Sequence, residues 1–119
     1  MSMKIYLSGK ITGDPDYKAK FAKAEQITKE RIENCVIINP AIMPEGLTQA
    51  DYMRISLAML DSCDTVLLLD NWQDSEGAKV EKVYADKVGK NVMCVKDLDH
   101  WRLLNRSHEL REGEQNGQT

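Results

Sequence analysis

The stretch that decides the fold runs from Thr65 to Val95 and reads TVLLLDNWQDSEGAKVEKVYADKVGKNVMCV. It begins with a fully apolar strand-like run, Thr65 to Asp70, of the kind buried on both faces of a sheet. It ends with Asn91 to Val95, which predicts another buried strand. Between them Ser75-Glu76-Gly77 opens a helix that closes near Gly89. At about 100° per residue, Ala78, Val80, Tyr84, Ala85 and Val88 share one broad arc, with Lys79, Lys82 and Asp86 opposite on a solvated face. Glu81 breaks the pattern, because it falls inside the apolar arc between Val88 and Ala85. Strand, helix and strand at this spacing form a crossover unit, which implies parallel strands.

The rest of the chain repeats that alternation. Lys4 to Ser8 (KIYLS) reads as a short strand running into the glycine-containing loop GKITGDPD. A charged helix follows, from about Asp16 to Asn34, with Phe21, Ala24 and Ile27 or Thr28 at helical spacing. Cys35 to Asn39 (CVIIN) is a β-branched strand stopped by Pro40, and PAIMPEGL is too irregular for regular structure. Thr48 to Asp64 reads as a helix in which Met53, Leu57 and Leu60 recur on one side. Four strands and three intervening helices give an α/β fold, a small three-layer domain on a parallel sheet covering residues 1–97. Residues 98–119 begin as a C-terminal helix with Leu98, Trp101 and Leu104 or Asn105 on one side, and end as a polar tail. Trp101 there either covers this domain's own core or makes a subunit contact.

Composition bounds the function classes. With 42% hydrophobic and 29% charged residues in 119, the chain is an ordinary globular domain with one core. Its formal net charge of −3 argues against general attraction to a nucleic acid polymer or an anionic membrane, though not against a small anionic ligand. No apolar run approaches the roughly 20 residues of a membrane span. The N-terminus leads almost directly into a strand instead of a signal peptide, which predicts a cytoplasmic protein. Cys35, Cys63 and Cys94 have no CxxC spacing and read as small buried hydrophobes of a reducing compartment. His100 and His108 stand apart from any ligand pattern, so neither metal nor cofactor is expected.

In open parallel sheets ligands bind beyond the carboxyl ends of the strands, where the winding reverses. That rule selects SGKITGDPD, NPAIMPEG and DNWQDSEG. In the first loop, Gly9 and Gly13 flank Lys10 and Thr12 ahead of a helix. Free backbone N–H groups there hold a phosphate, or the glycines serve only a tight strand-to-helix turn. Trp72 in the third loop either stacks on a planar base or lids the sheet edge. Tyr6 either faces the cleft or packs in the core. Glu81 has three readings: a misjudged helix register, an internal ion pair, or a functional carboxylate. It lies on the second turn of a helix that starts at the ligand-facing edge, and helical side chains lean toward the N-terminus, so it points at the cleft. Partial burial raises its pKa and nearby donors restrain the rise. An ionised carboxylate against apolar walls suits attack on a glycosidic carbon.

Taken together, KIYLSGKITG, INPAIMPEGL, YMRISLAMLDSCDTVLLLDNW and SEGAKVEKVYADKVGK resemble a small bacterial and phage family. That family is similar to the nucleoside 2-deoxyribosyltransferases and the 2′-deoxynucleoside 5′-monophosphate N-hydrolases. The resemblance ends near Val95. It implies a flavodoxin-like sandwich and a homo-oligomer in which neighbours complete each site. It implies Glu81, four residues after Gly77, as the nucleophile that attacks the anomeric carbon and releases the base, with Tyr84-Ala85 continuing the match. Tyr6 corresponds to the first-strand tyrosine of those enzymes and orients the glutamate. Ser8, Gly9, Lys10 and Gly13 correspond to the loop that meets sugar or 5′-phosphate. Trp72 or Asp74 meets the base, and Ser75 and Gly77 join the ligand set.

The sequence departs from those enzymes at Ser56, which stands eight residues before Asp64, where they usually carry an aspartate. Lys79 and Val83 replace glycines. The implied activity is cleavage or transfer of the N-glycosidic bond of a deoxynucleoside or its 5′-monophosphate. The alternative, favoured by Ser56 and Lys79, is a non-catalytic binder of a nucleotide or nucleotide-derived signal.

Overall fold

The computed structural model describes residues 2–99, and the expected C-terminal helix around Trp101 lies outside them. The elements are β1 (Met3–Ser8), α1 (Tyr17–Arg31), β2 (Cys35–Ile38), α2 (Gln49–Asp61), β3 (Thr65–Leu68), α3 (Glu76–Lys87) and β4 (Asn91–Cys94). All four strands are parallel, in the order β2-β1-β3-β4. Ile5 stands beside Ile37 on one flank and beside Thr65 on the other. The chain therefore winds outward in both directions from β1, and the reversal lies above the ends of β1 and β3. The fold is an α/β sandwich compatible with the flavodoxin-like architecture.

Strand alternation divides the core in two. Ile5, Leu7, Leu67 and Leu69 face α1 and pack with Phe21, Ala24, Ile32 and Leu98. Tyr6, Val66 and Leu68 face the other way, against Leu60 and Ala85. On β1 the same alternation carries Ser8 to the Tyr6 side. Helix starts follow local chemistry. Thr48 and Asp51 form a reciprocal capping box at α2, and the Ser75 hydroxyl accepts from the Ala78 N–H at α3.

Four expectations change. On α3 only Ala78, Glu81 and Ala85 are buried, while Val80 and Val88 are exposed. Two alanines let the helix approach the sheet along a narrow stripe, so the flanks of the broad arc never reach it. β4 is an edge strand, so Asn91 is exposed and Val92, Met93 and Cys94 are only half-buried. The loop after β2 holds one 3-10 turn, Pro40–Ile42, with Asn39 accepting from the Ala41 N–H. On α2, Ser56 and Leu60 are buried, whereas Met53 and Leu57 are half-buried. The three cysteines are free thiols. Among the described residues no helix is long and apolar enough to cross a membrane, and no cluster of potential ligands is arranged for a metal ion.

Candidate functional site

Glu81 lies in the second turn of α3, on the stripe that meets the sheet. Its side chain reaches back to β1, where residues two apart share a face. Tyr6 donates its phenol proton to Glu81 Oε2 at 2.7 Å, and the Ser8 hydroxyl donates to Oε1 at 2.7 Å. All three are buried, with Glu81 only 6% exposed. Among the described residues no cation pairs with this carboxylate. Its burial settles the helix register, and among the described residues no ion pair accounts for it.

The electrostatics follow from that burial. Desolvation pushes the Glu81 carboxyl above its ordinary range, while the hydroxyls of Tyr6, Ser8 and Ser56 pull it back by favouring the ionised form. Tyr6 is pushed well above the ordinary phenol value, first by burial and then by the charge of Glu81. The phenol therefore keeps its proton and remains a donor. Ser56 is buried beside both groups, and its hydroxyl donates to the Met53 carbonyl at 3.3 Å.

A cavity of about 660 Å³ opens on this carboxylate, within the size range of ligand sites. Tyr6, Gly9, Lys10 and Ser56 line it, as do Asp74, Ser75, Gly77 and Glu81. The three loops selected by the sheet rule all contribute to its wall. Ser8 does not line the cavity, and its buried hydroxyl is given to Glu81 instead. Gly13, at φ +84°, borders an adjoining depression instead. Trp72 does not line the cavity. The turn Trp72–Asp74 folds its ring onto the Tyr6-side core, with Lys82 Nζ 5.9 Å from the ring centre. Lys79 is also outside, turned to solvent and paired with Glu76 at 3.4 Å.

The first and third loops are fastened together. Asn71 Oδ1 accepts from the Lys10 N–H at 3.2 Å, and its amide donates to Asp14 at 3.4 Å. Asp14 also accepts from Lys20 at 2.7 Å and from the Asp16 N–H at 2.9 Å. Lys20 in particular holds the Asp14 carboxyl below the usual range. The Lys10 N–H is thus committed to the protein and not free for a phosphate. A Cβ on Gly9 would stand 2.9 Å from Leu69 Cβ, so the two loops approach this closely only with glycine there.

Sequence reasoning missed the wall supplied by α2. Gln49, Tyr52 and Met53 line the cavity together with Ser56. Their spacing on one helical face was the available signal, once Ser56 had been placed at the site. Residues 3–94 match a protein-family model described as a domain of unknown function (DUF4406). No curated protein matches the chain.

Proposed function

The chain belongs to the DUF4406 family, and we propose that it cleaves or transfers the N-glycosidic bond of a deoxynucleoside or its 5′-monophosphate, with Glu81 as nucleophile. The observation that carries this reading is a buried carboxylate that faces a cavity, is held by two neutral hydroxyls and has no cation paired with it among the described residues. Burying a carboxylate without an ionic partner costs stability, and such perturbed groups concentrate at functional sites.

In the proposed reaction one Glu81 oxygen attacks the anomeric carbon as the bond from that carbon to the base nitrogen breaks. The bonding electrons leave with the base, which takes a proton from water. A glycosyl ester on Glu81 remains. Water resolves it in a hydrolase, and a second base resolves it in a transferase. Tyr6 and Ser8 fix the carboxylate plane, and each oxygen retains a lone pair for attack. Lys10 lines the cavity and supplies a cation for a 5′-phosphate. The reading places the protein in the cytoplasm as a homo-oligomer. Exposed Ile55 on α2 and exposed Val80 and Val83 on α3 supply apolar surface for subunit contact.

Incubation with a panel of deoxynucleosides and deoxynucleotides, followed by assay of free base, tests it. Wild type releases base and Glu81→Gln does not; equal release by both would sink the assignment. A second reading is favoured by Ser56, which offers a hydroxyl where the resembling enzymes usually carry a carboxylate. On that reading the cavity binds a nucleotide without turnover. Stoichiometric binding with no free base after long incubation is its signature.

A further inference from the structure

We propose that one face of α2 recognises the base: Tyr52 is the platform on which an uncharged planar heteroaromatic base stacks, and Gln49 reads its edge. The proposal rests on the glycosidic reading of the site.

Gln49, Tyr52, Met53 and Ser56 all line the cavity and recur at the spacing of one helical face. Ser56 marks the floor, buried beside Glu81 and Tyr6. With a rise of about 1.5 Å per residue, Tyr52 stands about 6 Å above Ser56 and Gln49 about 10 Å above it. Both lie toward the start of α2, which follows the loop at the carboxyl end of β2. A nucleoside whose anomeric carbon meets Glu81 extends its base outward from the floor. The level one helical turn higher is where an aromatic face meets that base.

Tyr52 suits the task for two reasons. Its hydroxyl donates to the Pro44 carbonyl at 2.8 Å, which tethers the far end of the ring and reduces the ordering a ligand must impose. The cavity's other lining aromatic among the described residues, Tyr6, is committed to Glu81. Trp72, the aromatic of the third loop, packs against the core instead. Gln49 donates its amide to Thr12 Oγ1 at 2.9 Å, near the mouth. A carboxamide carries a donor and an acceptor side by side, the complement of a base edge with adjacent acceptor and donor.

The test is calorimetric titration of 2′-deoxyadenosine, 2′-deoxyguanosine, 2′-deoxycytidine and thymidine into Glu81→Gln protein, in which turnover is blocked. At least one nucleoside binds, and adding Tyr52→Ala weakens it roughly 5- to 150-fold, the range for losing a base-stacking aromatic. Tyr52→Phe keeps affinity within about threefold, and Tyr52→Leu behaves like Tyr52→Ala, which separates ring from bulk and from the Pro44 bond. Gln49→Ala narrows the differences among the four bases. Unchanged affinity in Tyr52→Ala and Tyr52→Leu, or no binding of any of the four, overturns the proposal. Should Tyr52→Ala fail to fold by circular dichroism, Tyr52→Leu decides alone. If wild type binds a nucleoside through Tyr52 and releases no base, the glycosidic reading fails and the platform stands.

Discussion

Tyr6 and Glu81, 75 positions apart in sequence, meet at 2.7 Å where β1 faces α3. The bond has a fixed direction. Burial and the neighbouring negative charge keep the phenol protonated, so the carboxylate accepts. Tyr6→Phe preserves the ring and deletes that donor. The Glu81 carboxyl then rises further, because one of the hydroxyls that restrain it is gone. On the proposed enzymatic reading, base release at neutral pH falls about 10²-fold or more, and the acid limb of the rate profile moves to higher pH. A profile that keeps its shape and position would show that the phenol has no part in holding the carboxylate.

Stability against pH reports Glu81 independently of any substrate. Its folded pKa is raised, so its contribution is fully present below the unfolded glutamate value of about 4.3 and is lost as pH rises through the folded value. Asp14 and Asp51 have lowered values and act oppositely: their contributions are present above the unfolded aspartate range and are lost as pH falls through the folded values. Melting temperatures of wild type therefore decline relative to Glu81→Gln as pH climbs above the ordinary glutamate range. Parallel curves for the two proteins would contradict the burial of an ionising group.

Ser56→Asp places a second carboxylate beside Glu81. Two neighbouring carboxylates resist joint ionisation, so one of them titrates at higher pH than Glu81 does alone. On the enzymatic reading, base release increases about tenfold or more and the acid limb moves up. Free base measured by chromatography decides. No release from either protein favours the binding reading.

Gly9→Ala tests the seam between the first and third loops. Its Cβ meets Leu69 Cβ at 2.9 Å and Asn71 Oδ1 at 3.1 Å, and overpacking of this kind costs about 1–3 kcal/mol. Gly77→Ala is the control, because its Cβ lies 3.5 Å from Met53 Sδ, an ordinary contact. Alanine's helix preference makes that variant as stable as wild type or more so, by up to about 1 kcal/mol. Urea midpoints compare the two.

The βαβ alternation was legible because each strand is an apolar run and each helix lies between turn signals. Glu81 was legible as a violation of a helical pattern, and its partner Tyr6 followed from the resemblance. The resemblance gives Ser8 to the ligand, because it matches the first-strand loop that meets sugar or 5′-phosphate. Yet strand parity puts it on the same face as Tyr6, and that rule was sufficient to place it against the carboxylate. Trp72 stayed open between stacking on a base and covering the sheet edge, because the turn Trp72–Asp74 decides which way its ring points. Tyr52 escaped because α2 was read for its apolar stripe, while the cavity takes the adjoining face.

Asn71 holds the first loop through Lys10 and Asp14, so the β1 and β3 sides of the cavity are fastened to each other. The α2 side is joined to the first loop at the mouth by the exposed bond from Gln49 to Thr12. The two seams of the cavity are thus unequally closed: two part-buried hydrogen bonds close the one between the first and third loops, and a single exposed one closes the one between the first loop and α2.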